Sequence, residues 1–557
     1  MDSQTKTGPD MWRRTLVIVA GIALLSTALP ATAAPSTTTE LANVIVREAD
    51  PASEIAESAV VGAGGDVVEH LDLIGGFAAR VPVDLVDTLH SNPAIASVTV
   101  DAPLQLSTAG WTDASGVNFN PSTYEGSVNV VGSGILQVSD YWNRGYTGGG
   151  VDVALIDSGV VPVNGLTYPG KVVNGPDLSF ESQDDDLRYL DTFGHGTHMA
   201  GIIAGRDDGA PIDATTNSDF LGVAPGARVV SLKVADYAGR TDVSQVIAAI
   251  DWVVQHRNDS GMNIRVLNLS FGTDSTQSYL LDPLAYAVEQ AWQAGIVVVV
   301  AAGNDGNSHA LRNPALDPFV IAVGATNSSK TRPGISSVME FSNCGTSARH
   351  VDIAVPGQSI ASLRSPGSAA DVDHPESVIA DRFMLGSGTS QSAAFVSGLA
   401  ALLADENPQA TPDQIKAALM DNSGAKFKKT NSDCYGAGVP NMDWTASSVA
   451  SDGLATAPQL HAPATGLGTL DGARGSAHLE QDGVVLEGEQ DIFGNAWSGW
   501  CTTLGCQSTF WDGGTWNGAT WAGGSWSGGS WSGTAWAGGS WSGGSWSGSI
   551  WLGLSWD

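Results

Sequence analysis

The sequence predicts an α/β fold: a doubly wound, mostly parallel sheet with helices on both faces, preceded by a small α+β unit. Three observations carry this. From Val151 to about Ala450, nearly continuous Val/Ile/Leu runs alternate with segments of helical period, the pattern of strands covered on both faces. Single polar residues follow these runs, where open α/β sheets build their sites. Residues 40–106 hold shorter strand-like and helix-like pieces without that alternation.

In chain order, N-V-I-V-R (Asn43–Arg47) reads as the first strand of the small unit, Val83–His90 as a helix, and A-S-V-T-V (Ala96–Val100) as its last strand. From Ser107 to Gly150 the chain is rich in Gly, Ser, Thr and Asn, an exposed connection or the loose start of the next domain. The large unit opens with V-D-V-A-L-I (Val151–Ile156), followed by a helix over His195–Ala204 and the strand Arg228–Val234. A helix over Val243–His256 has Asp242 as its N-cap. The strand Val266–Ser270 comes next, then a helix from about Pro283 to Ala294 stopped by Gly295, and the strand Ile296–Ala302.

The 557 residues carry 25 Lys+Arg against 58 Asp+Glu, a net charge of −33. Nucleic acid is excluded as the principal partner, because each phosphate must be neutralised by Lys or Arg. Residues 1–34 and 35–108 account for a small part of the deficit, and a balance of −25 lies beyond residue 108. Arg13 and Arg14 precede an apolar run, Leu16–Leu29, then Pro30 and A-T-A-A ending at Ala34. This is the order of a secretory signal cleaved near Ala33 or Ala34, and the run is too short to span a bilayer comfortably. The product is therefore expected to be secreted, extracellular or cell-wall associated. In that oxidising setting Cys344 can pair with Cys434 and Cys501 with Cys506, although spacing does not fix the connectivity.

Four polar residues stand where a doubly wound sheet forms its site. Asp157 follows the first buried strand in V-A-L-I-D-S-G, and His195 opens a helix in G-H-G-T-H-M-A-G. Asn304 follows the fourth strand in A-A-G-N-D-G, and Ser390 enters a long apolar helix in G-S-G-T-S-Q-S-A-A-F-V. Taken singly each has a plain reading: an Asp after a strand is usually a turn residue, a His among glycines is packing, and G-T-S is an N-cap signal. Together they form a serine, a base, a carboxylate and an amide donor in one sheet.

These blocks resemble those of the subtilisin-like serine proteases (subtilases), over roughly Leu136 to Ala450 and in the Asp, His, Ser order of that family. The resemblance implies a serine endopeptidase acting on protein or peptide substrates through an acyl-enzyme, with Ser390 as nucleophile, His195 as base and Asp157 as its orienting carboxylate. Asn304 would donate to the oxyanion, while His198 would be structural. The family pattern also implies that Ser270, Phe271 and Gly272, in L-N-L-S-F-G, line one side of the cleft, with Ala301, Ala302 and Gly303 forming the S1 wall. Gln391 stands where well-known members have Met, and Ala394 where the family usually has Pro. Asp305, beside Asn304, suggests a mild preference for basic P1 residues in an otherwise broad, apolar-tolerant cleft. The chemistry requires no cofactor. A structural Ca²⁺ is compatible with the family, and the loop carrying Asp207, Asp208, Asp213 and Asp219 offers oxygens, but it matches no calcium motif, so the metal ligands stay unassigned.

The resemblance divides the chain into a signal peptide (1–34), an inhibitory prodomain (35–108), a catalytic domain (109–450), a linker (451–490) and a tail (491–557). The prodomain would act as the enzyme's own inhibitor until cleavage between Leu106 and about Tyr124. In the tail, Trp recurs every five residues from Trp511 to Trp556, ten of the 18 in the chain. Five residues advance a helix by about 140° net and alternate the faces of a strand, so neither gives one aromatic stripe. Binding to cell wall or polysaccharide, self-association, and a disordered spacer are the roles open to it. The alternative to an active peptidase is a surface- or wall-binding protein with a vestigial protease domain. An esterase or lipase is disfavoured because Ser390 lacks the G-x-S-x-G elbow.

Overall fold

The computed structural model describes residues 41–100 and 120–491, apart from 51–52, 54, 72–75, 184–186, 213–218, 329–336, 425–433, 443–457 and 482–483, together with Trp497 and a few residues between 515 and 536. The predicted signal, the cleavage region up to residue 119, the Cys501–Cys506 pair and most of the Trp repeat lie outside the described residues. Among the described residues, no helix is long and apolar enough to cross a membrane.

Residues 41–100 form an antiparallel sheet of β1 (Leu41–Glu48), β2 (Asp66–Leu71), β3 (Gly76–Pro82) and β4 (Ile95–Val100), in the order β2-β3-β1-β4. Two helices accompany it, α1 (Ile55–Gly62) and α2 (Val86–His90). The helix predicted over Val83–His90 starts as a 3-10 turn at Val83–Leu85 and becomes α-helical only from Val86. Val44, Val46, Val60, Phe77, Val81 and Leu89 make a core of its own, separate from that of the larger unit.

The larger unit is built on seven parallel strands: β5 (Asp152–Asp157), β6 (Val172–Asp177), β7 (Arg228–Lys233), β8 (Ile264–Leu269), β9 (Val297–Ala301), β10 (Ile321–Thr326) and β11 (Ile353–Pro356). Their order is β11-β10-β9-β8-β5-β7-β6, every neighbouring pair parallel. The chain fills one side of β5 first and then crosses to β8, so the direction of winding reverses at β5/β8. Sites form at such reversals, beyond the carboxyl ends of the strands. All residues of β5, β9 and β10 are buried, which is why these strands read as unbroken apolar runs.

The helices starting at Val243 and Pro283 begin at side-chain caps, whereas those starting at His195 and Thr389 begin at glycines. Helix α3 spans His195–Ala204, as predicted. Helix α4 (Val243–His256) starts in a capping box: Asp242 accepts from the Ser244 N–H at 2.9 Å, and the Gln245 side chain accepts from the Asp242 N–H at 2.7 Å. Helix α5 (Pro283–Gln293) has Asp282 accepting from the Leu284 and Ala285 N–H groups, with Pro283 as first helical residue. Helix α6 (Thr389–Glu406) is buried along nearly its whole length, packed against α3 and strands β8, β9 and β10. Helix α7 (Pro412–Asp421) follows it, and a disulfide joins Cys344 to Cys434.

Two segments depart from expectation. The loose start predicted before Gly150 is already packed from residue 128, where Val128, Val131, Leu136, Tyr141 and Trp142 enter the main core. Within 451–490, read as a linker, residues 458–481 and 484–491 instead form a strap over the larger unit. Leu470 and Ala473, in the short helix α8 (Leu470–Arg474), join Leu479 and Leu486 in the main core. Arg474 is fully buried and donates to Asp242 at 2.8 Å, closing over the cap of α4. No sequence signal marks the strap, because its few apolar residues follow no period and many of its bonds run to backbone atoms. Thr273 Oγ1 donates to the Ala473 carbonyl and the Thr276 N–H to that of Gly472, while the Ser476 N–H and hydroxyl both reach Asp274.

Candidate active site

Asp157 ends β5 and is 1% exposed. Its Oδ1 accepts from the Ser158 N–H at 2.8 Å and lies 2.7 Å from His195 Nδ1; its Oδ2 is 2.9 Å from the same nitrogen. A carboxylate facing Nδ1 fixes the proton there and leaves Nε2 as the basic nitrogen. Burial opposes a charge on His195, but the Asp157 charge and hydrogen bond, with Asp191 behind them, outweigh it and hold the imidazole above its ordinary value.

A second carboxylate stands behind this pair. Asp191 Oδ1 accepts from the Ser158 hydroxyl at 2.7 Å and from the Gly194 N–H at 2.6 Å, and its Oδ2 accepts from the Thr197 N–H at 2.7 Å. The Gly196 N–H in turn donates to the Ser158 hydroxyl at 3.0 Å. Asp191 thus satisfies orphan amides at the start of α3 while bracing the turn after Asp157. Burial pushes its own carboxyl up, against the pull of these bonds.

Ser390 is the second residue of α6 and is 2% exposed. The adjoining Thr389 binds the β9 side of the site twice. Its N–H donates to Asn304 Oδ1 at 2.9 Å, and its hydroxyl accepts from the Gly303 N–H at 3.2 Å. With Oδ1 engaged, the donor end of the Asn304 amide lies beside Gly388, where a side chain would come within 3.4 Å of Nδ2. A pinned amide and the first turn of α6 place N–H donors and a positive helix end next to Ser390, which favours developing negative charge. The structure thus brings Asp157 to His195 and Asn304 to the turn that carries Ser390, all at the carboxyl ends of β5 and β9.

His198 takes no part in this group. Its Nε2–H donates to the Ile360 and Met384 carbonyls at 3.2 and 3.1 Å, and burial followed by the nearby His195 lowers its pKa to about 4, so it stays neutral. Ser270, Phe271 and Gly272 directly follow β8. The Phe271 ring is packed in the main core, which leaves backbone rather than ring for a cleft. Ala301, Ala302 and Gly303 stand at the end of β9. Gly303 has φ +106°, and its carbonyl accepts from the Asn343 N–H at 2.9 Å.

The suggestion about Asp305 is corrected. Its carboxylate is gripped by Arg312 through both oxygens, Nε donating at 2.6 Å, and also accepts from Asn343 Nδ2 at 2.9 Å. No lone carboxylate awaits a basic P1 side chain there. Of the acidic loop residues, Asp207, Asp208 and Asp219 line an open depression with Asn164 and Thr167, and Asp213 lies outside the described residues. Asp207 is already neutralised by Arg382, and among the described residues no three His, Cys, Asp or Glu side chains gather as a metal would require. The described side chains thus leave the ligands of any structural Ca²⁺ unassigned.

Ser158, Asp191, Thr389 and Arg312 were missed from sequence. Ser158 and Thr389 sit inside the motifs that carry Asp157 and Ser390, and Asp191 lies three residues before the one that carries His195, so nearness to a motif was the available signal. For Arg312, in L-R-N-P, no period or motif marks it.

The subtilase family model (Peptidase_S8) matches residues 148–438. Serine protease AprX of Bacillus subtilis is 34% identical over 305 residues, covering 53% of this chain and 66% of that protein. Minor extracellular protease Epr of the same organism is 30% identical over 287 residues, covering 52% and 37%. Subtilisin NAT of Bacillus subtilis subsp. natto is 31% identical over 389 residues, covering 69% and 84%. The chain thus spans just under two thirds of AprX and a smaller share of Epr.

Proposed function

The chain belongs to the subtilase family, and from that premise we propose that it is a secreted serine endopeptidase hydrolysing peptide bonds through an acyl-enzyme on Ser390. The observation that carries the proposal is the two-pronged contact of buried Asp157 with His195 Nδ1, which prepares Nε2 as a base. A serine hydroxyl is a weak nucleophile near neutral pH without such a base.

In the proposed reaction Ser390 Oγ attacks the scissile carbonyl carbon and passes its proton to His195 Nε2. The carbonyl oxygen becomes an oxyanion, to which Asn304 Nδ2 donates. As the C–N bond breaks, His195 returns the proton to the leaving amine, and an ester to Ser390 remains. Water, deprotonated by the same nitrogen, then cleaves that ester and restores the hydroxyl. Asp157 keeps its negative charge throughout and stabilises the imidazolium. Nothing in these steps calls for a cofactor.

The antiparallel unit at 41–100, with a core of its own, supports the reading of 35–108 as an inhibitory prodomain. The signal-like residues 1–34, and the name of the extracellular relative Epr, support secretion. Expression of the full chain beside Ser390→Ala tests the proposal. The wild type should shorten itself after secretion and hydrolyse casein, and Ser390→Ala should do neither. Caseinolysis that survives the substitution would refute it.

A further inference from the structure

We infer that Arg312 forms the floor of the pocket that receives the P1 side chain and restricts it to small, uncharged residues. This deepens the peptidase reading above and rests on it. On that reading the two backbone walls of the cleft are the segments after β8 and β9, and the chain at 312–313 is bonded to both. The Arg312 N–H donates to the Ala302 carbonyl at 3.0 Å on one side. On the other, Asn313 and Thr273 exchange backbone bonds at 2.8 and 2.9 Å.

The Arg312 side chain rises in the gap so formed. A methyl group in place of a hydrogen on Gly272 would lie 2.5 Å from Arg312 Cβ, and one on Gly303 would lie 2.5 Å from Arg312 Cγ. The aliphatic stem therefore touches both walls and occupies the depth into which a long P1 side chain would have to reach. The guanidinium is held at that level by Asp305, and its Nη1 lies 3.8 Å from Asp274, a residue fixed by Ser476 of the strap. Its side chain is 21% exposed, so the ion pair is only partly shielded from solvent.

Charge argues in the same direction as volume. Asp305 grips the cation through both of its oxygens, so an acidic P1 group meets no free positive charge and a basic one meets no free carboxylate. Either would have to shed water without a partner, which is costly. A small side chain such as that of Ala or Ser fits above the stem, and an aromatic one has no depth to enter. In an apolar pocket each methylene gained or lost shifts selectivity by about 10–200-fold.

The test uses the secreted, self-processed protein on peptide anilides that differ only at P1: Ala, Leu, Phe, Lys and Glu. The wild type should favour Ala over Phe by about tenfold or more in kcat/KM, with Lys and Glu poorer still. Arg312→Gly, which removes the stem, should raise the Phe/Ala ratio by about tenfold or more, whereas Arg312→Met, which keeps a stem of similar reach, should hold the wild-type ratio. All samples are titrated with a serine-directed fluorophosphonate, so that ratios refer to folded enzyme. A wild type that cleaves after Phe as readily as after Ala overturns the inference even without the variants. So does an Arg312→Gly enzyme with an unaltered profile. A wild type that neither labels nor hydrolyses any anilide overturns the peptidase reading, and the inference with it.

Discussion

Ser158 donates its hydroxyl to Asp191 at 2.7 Å while the same oxygen lies 3.2 Å from Asp157 Oδ1. Two buried carboxylates thus share one hydroxyl. Both act on His195 in the same direction, each favouring its protonated form. Asp191→Asn keeps the shape of the network and removes one of the charges. His195 must be neutral to act as a base, so the acid limb of the kcat/KM profile follows its pKa. Loss of the Asp191 charge lowers that pKa, and the limb should move to lower pH. An unmoved limb, measured from pH 4 to 9, would count against a role for Asp191 beyond shape.

Asn304→Ala removes the proposed oxyanion donor and also releases the Thr389 N–H. The expected loss is about 10²–10³ in kcat, the size found for this donor in a subtilisin, with KM little altered. Equal losses in kcat and kcat/KM identify an interaction made only in the transition state. A raised KM with normal kcat would instead mean that Asn304 serves in binding.

Breaking the pair between Arg474 and Asp242 should be costly, because it leaves a buried carboxylate alone. Arg474→Met is expected to destabilise by about 3–5 kcal/mol in denaturant unfolding. Adding Asp242→Asn should recover part of the loss. The pH dependence follows from the carboxyl. Burial would raise the Asp242 pKa, yet Arg474 outweighs it and the carboxyl titrates below its ordinary value. Its share of stability is present above the unfolded value and is lost as pH falls through the depressed one. The gap between wild type and Arg474→Met should therefore narrow in acid. A gap that widens instead would mean that the pair does not carry the strap.

Gln391 follows Ser390 and is nearly buried. A thioether in that place is open to oxidation, and an amide is not. Dilute hydrogen peroxide should leave esterase activity on a small active ester close to that of an untreated control, while Gln391→Met should lose activity in the same treatment. Rapid inactivation of the wild type would point to another oxidisable residue near the site.

Asp157, His195, Asn304 and Ser390 were legible in sequence because each abuts a segment with strong local character: two buried strands and two helix starts. The same holds for α4, whose apolar period and capping box lie within a few residues of one another. What was not legible depends on long-range contact. Asp191 reaches Ser158 across 33 positions, and Arg474 reaches Asp242 across 232. Arg312 gained its place only when two strands brought Gly272 and Gly303 to either side of it. Asp305 misled because a carboxylate beside a catalytic amide looks available until its partner is known.

The disulfide between Cys344 and Cys434 brackets Ser390. On the peptidase proposal, copies of the protein would be substrates for one another. A single nick anywhere from residue 345 to residue 433 would leave two chains still joined by that bond. The segment carrying Ser390 could not drift away from the strands carrying Asp157 and Asn304. The covalent link would thus keep the 345–433 stretch attached after such a cut, whatever it adds to folding.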